Sequence, residues 1–305
     1  MQPFDLQVNG YAGVDFCSSA LTAKQLQTAC EALQQDSVDG ILATVITDTV
    51  DSLVHKLKNL VTLREQNPLA QKIIAGFHIE GPFLNPKTGY IGAHPSEAAV
   101  SANIDDAKRL LDAAGGLTRV FTLAPEQDSG FATTSMLANQ GVTVSAGHCN
   151  PTLDELRGAI DSGLSMVTHF GNGCPVTVPR HDNVLQRFLA CRKDLWTCFI
   201  PDGAHVNFFA LRNYLDLVGI DRAIMVTDAI SAATLGAGLH EISGMTVEVD
   251  ANGVARKPGS PNLAGSTVTM PKIQANLAEY LGLNATEIRT LVDKNPRRSI
   301  GMHAP

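Results

Sequence analysis

Long hydrophobic runs are missing from this sequence, along with several other features that would assign a chain to a class. No stretch comes near the ~18 consecutive apolar residues that a transmembrane helix needs. Residues 1–5 (MQPFD) have neither the basic nor the apolar region of a signal peptide. No internal repeat or low-complexity tract is present. These absences argue against a membrane-spanning protein, a protein with a cleaved leader and a repeat architecture.

Positive charge and paired cysteines are also scarce. The 305 residues carry 23 Lys and Arg against 30 Asp and Glu, a formal net charge of −7. A mildly acidic chain is a poor candidate for general binding to nucleic acid or to membrane surfaces, so we expect neither partner. The six cysteines are scattered and form no Cys-x-x-Cys pair, which favours reduced thiols and a cytoplasmic location.

The sequence does contain a regular alternation of short apolar runs and amphipathic segments. Eight runs are apolar, rich in β-branched residues and bounded by polar or turn residues, as buried strands are. These predicted strands cover 4–9, 41–47, 73–80, 118–124, 142–148, 166–170, 197–202 and 223–228. Segments with helical periodicity lie between most of them, at 22–35, 51–65, 97–114, 152–161, 183–191 and 206–218.

This alternation predicts an α/β fold with a parallel sheet. Eight units in a row favour a closed (β/α)8 TIM barrel, which uses one domain of roughly 250 residues. No Gly-x-Gly-x-x-Gly follows the first strand, which weakens the alternative of an open doubly wound sheet. We predict a single barrel domain over 1–305, with a small hairpin insertion around 244–258 and closing helices within 270–295.

Polar side chains stand at the ends of several predicted strands. Glu80 ends the third strand, His148 the fifth and Asp228 the eighth, and His169 lies near the end of the sixth. In a barrel the C-terminal strand ends form the mouth where active sites lie. One carboxylate and two imidazoles suit Zn2+ with a water completing the coordination. We therefore predict a metal bound by Glu80, His148 and His169, and proton transfer by Asp228 during hydrolysis of an amide or ester.

Each of these residues also has a purely structural interpretation. A lone histidine at a strand end is more often hydrogen bonded within the fold than bound to a metal, and a lone aspartate can cap a helix. Only the convergence of several such residues at one rim favours chemistry. We favour a structural role for His78, two residues before Glu80, and for Cys149 and Cys174, which have no activating base nearby in sequence.

Eight short motifs follow one another along nearly the whole chain. They are DLQVNG at 5–10, HIEGPF at 78–83, GAHP at 92–95, GH at 147–148, TH at 168–169, DGAHV at 202–206, VTDA at 226–229 and LAGS at 263–266. In this order they resemble the N-acetylglucosamine-6-phosphate deacetylase family of the amidohydrolase superfamily. HIEGPF and LAGS are the most specific of them, whereas the Thr-Asp-Ala segment alone would be weak.

The resemblance implies hydrolysis of the acetamide of an N-acetyl amino sugar phosphate, giving glucosamine 6-phosphate and acetate from N-acetylglucosamine 6-phosphate. The family's metal ligands match Glu80, His148 and His169, and its acid/base matches Asp228. Its arginine for the phosphate matches Arg180, which in some relatives reaches across the interface of a homodimer. The full set of implied substrate contacts is His94, Asn172, Gly173, Arg180, His205 and Leu263.

The first strand bears on the number of metal ions. Many amidohydrolases carry His-x-His there and bind two metals, whereas this chain has Gln7 and Asn9, which are poor ligands for Zn2+. Family members with this Gln-x-Asn pattern look like enzymes that bind a single metal ion. We therefore expect one divalent metal ion, Zn2+ in the first place and Fe2+ as the alternative.

The chain departs from the family pattern in two respects. The β-sandwich segments that usually flank the barrel are not in this sequence, so we expect a barrel-only variant. The loop 170–174 reads FGNGC where the family usually has Leu-Phe-Asn-Ala-Met. Another N-acyl sugar, an N-acyl amino acid or a cyclic amide are therefore alternative substrates. A non-catalytic sugar-phosphate-binding barrel is the alternative from another class, and the retained metal ligands and Asp228 argue against it.

Overall fold

Eight parallel strands form the main sheet of the protein, whose computed structural model describes residues 2–242, 245–259 and 262–302. Each strand pairs with the next one along the chain, so the order in space follows the order in sequence. The strands are β1 (Phe4–Val8), β2 (Gly40–Ile46), β3 (Ile74–Glu80), β4 (Thr118–Leu123), β5 (Thr143–Ala146), β6 (Leu164–Val167), β7 (Trp196–Phe199) and β8 (Ala223–Met225).

The seam between β8 and β1 closes the sheet, and it does so mainly beyond the end of β8. A parallel bridge joins Val8 to Ala229, and Asn9 N donates to Ala229 O at 2.7 Å. Below it, the Thr227 hydroxyl donates to Asp5 Oδ2 at 2.6 Å. The predicted (β/α)8 barrel is therefore confirmed.

Helices connect the strands and cover the outside of the barrel. Two of them, α1 and α6, begin with a capping box at Thr22 and Thr152, where side chain and backbone satisfy each other's free groups. The helices are α1 (Ala23–Gln35), α2 (Val50–Glu65), α3 (Pro68–Ile73), α4 (Ile104–Ala113), α5 (Ala132–Asn139), α6 (Leu153–Asp161), α7 (Val184–Ala190) and α8 (Phe208–Val218).

Three of these connections differ from the sequence prediction. The helix expected over 97–114 starts only at Ile104, because the Asn103 side chain caps it by accepting from Asp106 N, and a 3-10 turn (Ser96–Ala98) precedes it. The helices α3 and α5 were not predicted. In α5 the two threonines and the serine of ATTSMLAN interrupt the apolar stripe by which the other helices were predicted.

A small antiparallel sheet lies after the eighth barrel strand. It consists of β9 (Gly238–Ile242), β10 (Met245–Val249) and β11 (Ala255–Arg256). The predicted hairpin corresponds to β10 and β11, whereas β9 was not predicted, and residue 244, the expected start, lies outside the described residues. The buried side chains of this sheet pack on the loop after β8 in a separate cluster of Ile230, Ala232, Val247, Val249 and Ala255.

Three C-terminal helices complete the chain: α9 (Met270–Leu281), α10 (Ala285–Arg289) and α11 (Asn295–Ser299), the last two joined by a π-helical turn (Thr290–Lys294). Asn295 Nδ2 donates to the carbonyl of Ala223, the first residue of β8, at 2.8 Å. This contact places α11 at the N-terminal end of the strands, away from the mouth. No helix among the described residues is long and apolar enough to cross a membrane.

Candidate metal centre and active site

The side chains predicted to carry the chemistry do meet at the mouth of the barrel. Glu80 is the last residue of β3, while His148, His169 and Asp228 follow the ends of β5, β6 and β8 by two or three residues. These last three have positive φ values of 50°, 30° and 49°. Non-glycine residues rarely adopt this conformation, and such strain often accompanies functional sites. Here it accompanies the turn by which each chain segment leaves its strand.

Glu80, His148 and His169 form a compact, buried group. Glu80 Oε1 is 3.0 Å from His169 Nε2 and 3.4 Å from His148 Nε2, and the two histidine nitrogens are 3.1 Å apart. Ligand-type atoms of all three lie within 4.8 Å of one another. The three residues that the strand ends predict as metal ligands are therefore together.

The protonation of His148 supports the fit of a cation to this group. Its Nδ1 is 2.8 Å from the carbonyl oxygen of Tyr90, which can only accept, so Nδ1 carries the proton. The Nε2 of a neutral His148 then presents a lone pair to the group. A lone pair, a carboxylate and a second imidazole converging in a buried space are the donor set of a divalent metal such as Zn2+.

Burial and mutual charge shape the electrostatics of the site. Burial alone would raise the pKa of Glu80, but the adjacent imidazoles of His148 and His169 bring that pKa well below its usual range. Burial and the neighbouring Glu80 charge raise the pKa of Asp228 to about 6. Two carboxylates in one buried site thus have different protonation behaviour, which is the pattern expected of an anionic ligand beside a proton-transfer group.

Gln7 and Asn9 have a role that the sequence did not reveal. Gln7 Nε2 donates to Glu80 Oε2 at 3.1 Å, and its Oε1 accepts from the Thr168 hydroxyl at 2.9 Å. Asn9 Nδ2 donates to Asp228 Oδ1 at 2.6 Å. These amides therefore hold the carboxylates of Glu80 and Asp228 in place, where histidines at the same positions would present metal ligands instead.

A cavity of about 190 Å³ opens beside this group. The predicted substrate contacts His94, Asn172, Gly173, His205 and Leu263 all line it. Arg180 does not line it; its side chain is exposed on the loop after β6. Within the described part of the chain, no lysine or arginine contributes to the wall. Further lining residues that sequence reasoning missed are Asp15, Cys17, Ile46, Ile200, Ile230, Ser231 and Val247.

Two histidines of the wall are fixed by neighbouring side chains. His94 Nδ1 is 2.9 Å from the Thr47 hydroxyl, and burial together with the nearby His148 lowers the pKa of His94 to about 3, which keeps it neutral. His205 Nδ1 donates to Asp202 Oδ2 at 2.6 Å. This contact leaves His205 Nε2 as the nitrogen available to a ligand.

His78, although only two residues from Glu80, lies outside the cavity wall. Its Nδ1 donates to Leu6 O at 3.1 Å and its Nε2 accepts from the Thr122 hydroxyl at 2.7 Å. Burial lowers its pKa to about 4. Both nitrogens of His78 are therefore used within the barrel wall.

The two cysteines near the site are also structural. Burial raises the pKa of the Cys149 and Cys174 thiols, which keeps both protonated.

A (β/α)8 barrel with a Glu-His-His group and an aspartate at its mouth has the architecture of the amidohydrolase class of enzymes. No protein-family model matches the chain. N-acetylglucosamine-6-phosphate deacetylase of Bacillus subtilis is 27% identical over 98% of this chain and 74% of its own length. N-acetylgalactosamine-6-phosphate deacetylase of Escherichia coli O157:H7 is 28% identical over 98% of this chain and 77% of its own.

A solved structure of a protein named for the same activity as the first of these relatives also resembles the chain. It is a mutant of N-acetyl-D-glucosamine-6-phosphate deacetylase from Mycobacterium smegmatis in complex with N-acetyl-D-glucosamine-6-phosphate. That structure superposes with a TM-score of 0.88 at 28% identity, over 99% of this chain and 78% of that one. The resemblance to N-acetylglucosamine-6-phosphate deacetylases is therefore confirmed over nearly the whole chain.

Proposed function

We propose that this chain is a metal-dependent deacetylase that hydrolyses N-acetylglucosamine 6-phosphate to glucosamine 6-phosphate and acetate. The observation that carries the proposal is the buried group of Glu80, His148 and His169 beside Asp228 in the cavity at the barrel mouth. The deacetylases that resemble the chain along nearly its whole length support the choice of substrate.

We assign the metal site to one divalent ion, Zn2+ in the first place, held by Glu80, His148 and His169. A bound ion of this kind lowers the pKa of a water toward neutrality and polarises a carbonyl oxygen. Gln7 supports a single ion, because its Nε2 donates to Glu80 and its Oε1 accepts from Thr168, and the amide of Asn9 is a poor ligand for Zn2+ compared with imidazole. Among the described residues, no second group of three or more histidine, cysteine, aspartate or glutamate side chains converges closely enough to hold a metal.

Asp228 transfers the proton in this proposal. Asn9 occupies its Oδ1, so Oδ2 remains to take a proton from the attacking water. The water oxygen bonds to the acyl carbon, the carbon–nitrogen bond breaks, and Asp228 passes its proton to the departing nitrogen. The products are acetate and the free amine, and the second proton of the water is released when the carboxylic acid ionises. A carboxyl group whose pKa is raised by burial is suited to both halves of this transfer.

The remaining wall residues are assigned to the sugar phosphate. His94, Asn172, Gly173, His205 and Leu263 line the cavity and offer imidazole, amide and apolar surface to the sugar. The phosphate needs a cation, and the described wall has none. We therefore assign this role to Arg180 of a second copy in a homodimer, as the resemblance to the family implies.

Acetate release with a panel of substrates tests the proposal. Metal-loaded protein is incubated with N-acetylglucosamine 6-phosphate, N-acetylgalactosamine 6-phosphate and N-acetylglucosamine without phosphate. We expect the first to be turned over fastest, and the Asp228→Asn variant to be slower by about 10²–10⁴-fold. If the wild type releases acetate from N-acetylglucosamine 6-phosphate no faster than the Asp228→Asn variant does, the substrate assignment is wrong. Equal rates with and without the phosphate would instead favour another N-acyl substrate.

A further inference from the structure

An apolar wall stands directly beside the metal group on the side of the second strand. Ile46, the last residue of β2, is the parallel register partner of Glu80, the last residue of β3. Neighbouring strands lie ~4.8 Å apart and register partners point to the same face, so the Ile46 side chain adjoins that of Glu80. Both residues line the active-site cavity.

Cys17 extends this wall. It follows the short hairpin of Gly10–Tyr11 and Val14–Asp15 that leaves β1, and its Sγ accepts from Ile46 N at 3.4 Å and lies 3.5 Å from Thr44 O. The residue is 4% exposed and lines the same cavity. Burial raises the pKa of its thiol to about 12, so it is protonated at neutral pH. With both hydrogen-bonding capacities used by backbone, Cys17 is a small apolar surface and not a nucleophile.

The rest of the cavity wall is more mixed in character. It combines the apolar residues Ile230, Val247 and Leu263 with Ser231 and His205, which offer hydrogen bonds. A sugar ring presents hydroxyl groups and apolar faces together, and a mixed wall of this kind suits it. The acetyl group differs from the sugar, because its methyl presents no polar atom. The carbonyl carbon of the acetyl group has to lie next to Asp228 and the metal group.

We propose that Cys17 and Ile46 form the acyl-group subsite and restrict the enzyme to short acyl groups. The inference rests on the proposed amide hydrolysis at the Glu80 group. The wall adjoins Glu80, so a methyl on the reacting carbonyl carbon contacts it, and each further carbon of the acyl chain is directed into it. One additional methylene in such a pocket changes kcat/KM by about 10–200-fold.

The test measures kcat/KM for N-acetyl-, N-propionyl- and N-butyrylglucosamine 6-phosphate with metal-loaded wild type, Cys17→Ala and Ile46→Val. Cys30→Ala is the matched control, because Cys30 is equally buried but lies in α1 and does not line the cavity. The readout is the propionyl-to-acetyl ratio of kcat/KM, which cancels any common loss of active protein. Dissociation constants measured in the Asp228→Asn background give the same comparison without turnover.

We expect the wild type to prefer acetyl over propionyl by at least about tenfold, and Cys17→Ala to raise the ratio by about tenfold. Ile46→Val, which removes one methylene and disturbs folding little, should raise it in the same direction. The Cys30→Ala ratio should equal that of the wild type. Turnover with a ratio unchanged in both cavity variants would overturn the subsite alone. Absence of turnover of all three compounds by the wild type would overturn the proposed function.

Discussion

At the scale of single residues, hydrogen bonds from neighbouring side chains and backbone orient the carboxylates and imidazoles of the site. Gln7 and Asn9 donate hydrogen bonds to the carboxylates of Glu80 and Asp228, and Tyr90 O fixes the proton on His148 Nδ1. His148 is also enclosed by two glycines: a Cβ on Gly92 would lie 2.9 Å from its Cε1, and one on Gly173 would lie 3.2 Å from its Nδ1. The loops around the mouth therefore shape the orientation of this imidazole.

Gly92→Ala tests this enclosure. The residue has a φ of +62°, so alanine is strained there and its methyl also displaces the His148 ring. We expect at least a tenfold loss of zinc affinity, because ligand orientation governs affinity. Isothermal titration of metal-free protein measures it.

Gly116→Ala is the matched control for this prediction. Its φ is +78° and nothing lies within 4 Å of the added Cβ, so it carries the backbone strain without the clash. We expect it to lose roughly 1 kcal/mol of stability and to bind zinc like the wild type. Equal zinc affinity in the two variants would contradict the enclosure of His148.

The site residues differ in how far the sequence alone could predict them. Glu80, His148, His169 and Asp228 were identified because each ends a recognisable strand, and a barrel brings strand ends to one rim. Cys17 was missed because only a short hairpin after β1 turns it back to Ile46. Contacts of this type depend on local turns and side-chain directions that hydrophobic periodicity does not encode.

At the scale of elements, the seam between β1 and β8 is the feature most dependent on side chains. Asp5 accepts from both the backbone N and the hydroxyl of Thr227, next to Asp228, where regular strand pairing is absent. Burial outweighs these hydrogen bonds and raises the pKa of Asp5 to about 7. A carboxyl group with this pKa makes the seam sensitive to pH.

The direction of this sensitivity follows from proton linkage. Between the ordinary pKa near 4 and the folded value of about 7, folded Asp5 keeps a proton that the unfolded chain has lost. The contribution of Asp5 to the free energy of unfolding therefore falls as pH rises through this interval and is constant outside it. Asn at position 5 does not titrate.

Asp5→Asn is accordingly expected to gain stability relative to the wild type as pH rises from 4 to 7. Urea unfolding of both proteins at several pH values measures the difference in free energy of unfolding. At low pH the variant replaces a neutral carboxyl by a neutral amide, so the difference there reports changed hydrogen bonding alone. A difference that is constant across the interval would show that Asp5 is ionised in the folded state.

Among the elements themselves, strong local signals were the reliable ones. The apolar stripe over 22–35 predicted α1 almost to the residue, and a capping box at Thr22 begins the helix there. The strand β9 carried no comparable signal, because GLHEI is short and lies in a glycine-rich stretch. The position of β9 is determined by its pairing with β10, and hydrophobic periodicity within one segment does not show which other segment it pairs with.

At the scale of the whole molecule, the proposed phosphate contact depends on a second copy of the chain. Arg180 is exposed, and the loop around it also carries Val176, whose side chain is fully exposed at 102%. Both belong to the loop that supplies Asn172 and Gly173 to the cavity. The proposed homodimer would use this loop to bring Arg180 to the cavity of its partner.

Mixing two inactive variants tests that arrangement. Arg180→Ala retains Asp228 and Asp228→Asn retains Arg180, so a mixed dimer contains one cavity with both groups only if the arginine acts across the interface. Refolding or exchange of equal amounts should then restore roughly a quarter of the wild-type rate on the phosphorylated substrate. Activity no higher than the mean of the separate variants would place Arg180 outside the partner's cavity.

We expect hydrolysis to require one metal ion, held by Glu80, His148 and His169. The most direct measurement titrates Zn2+ into metal-free protein and follows acetate release from N-acetylglucosamine 6-phosphate. We expect no acetate release without metal, then a linear rise in rate that reaches a plateau at about one equivalent of Zn2+ per chain. A plateau at two equivalents, or a rate that does not depend on added metal, would contradict this expectation.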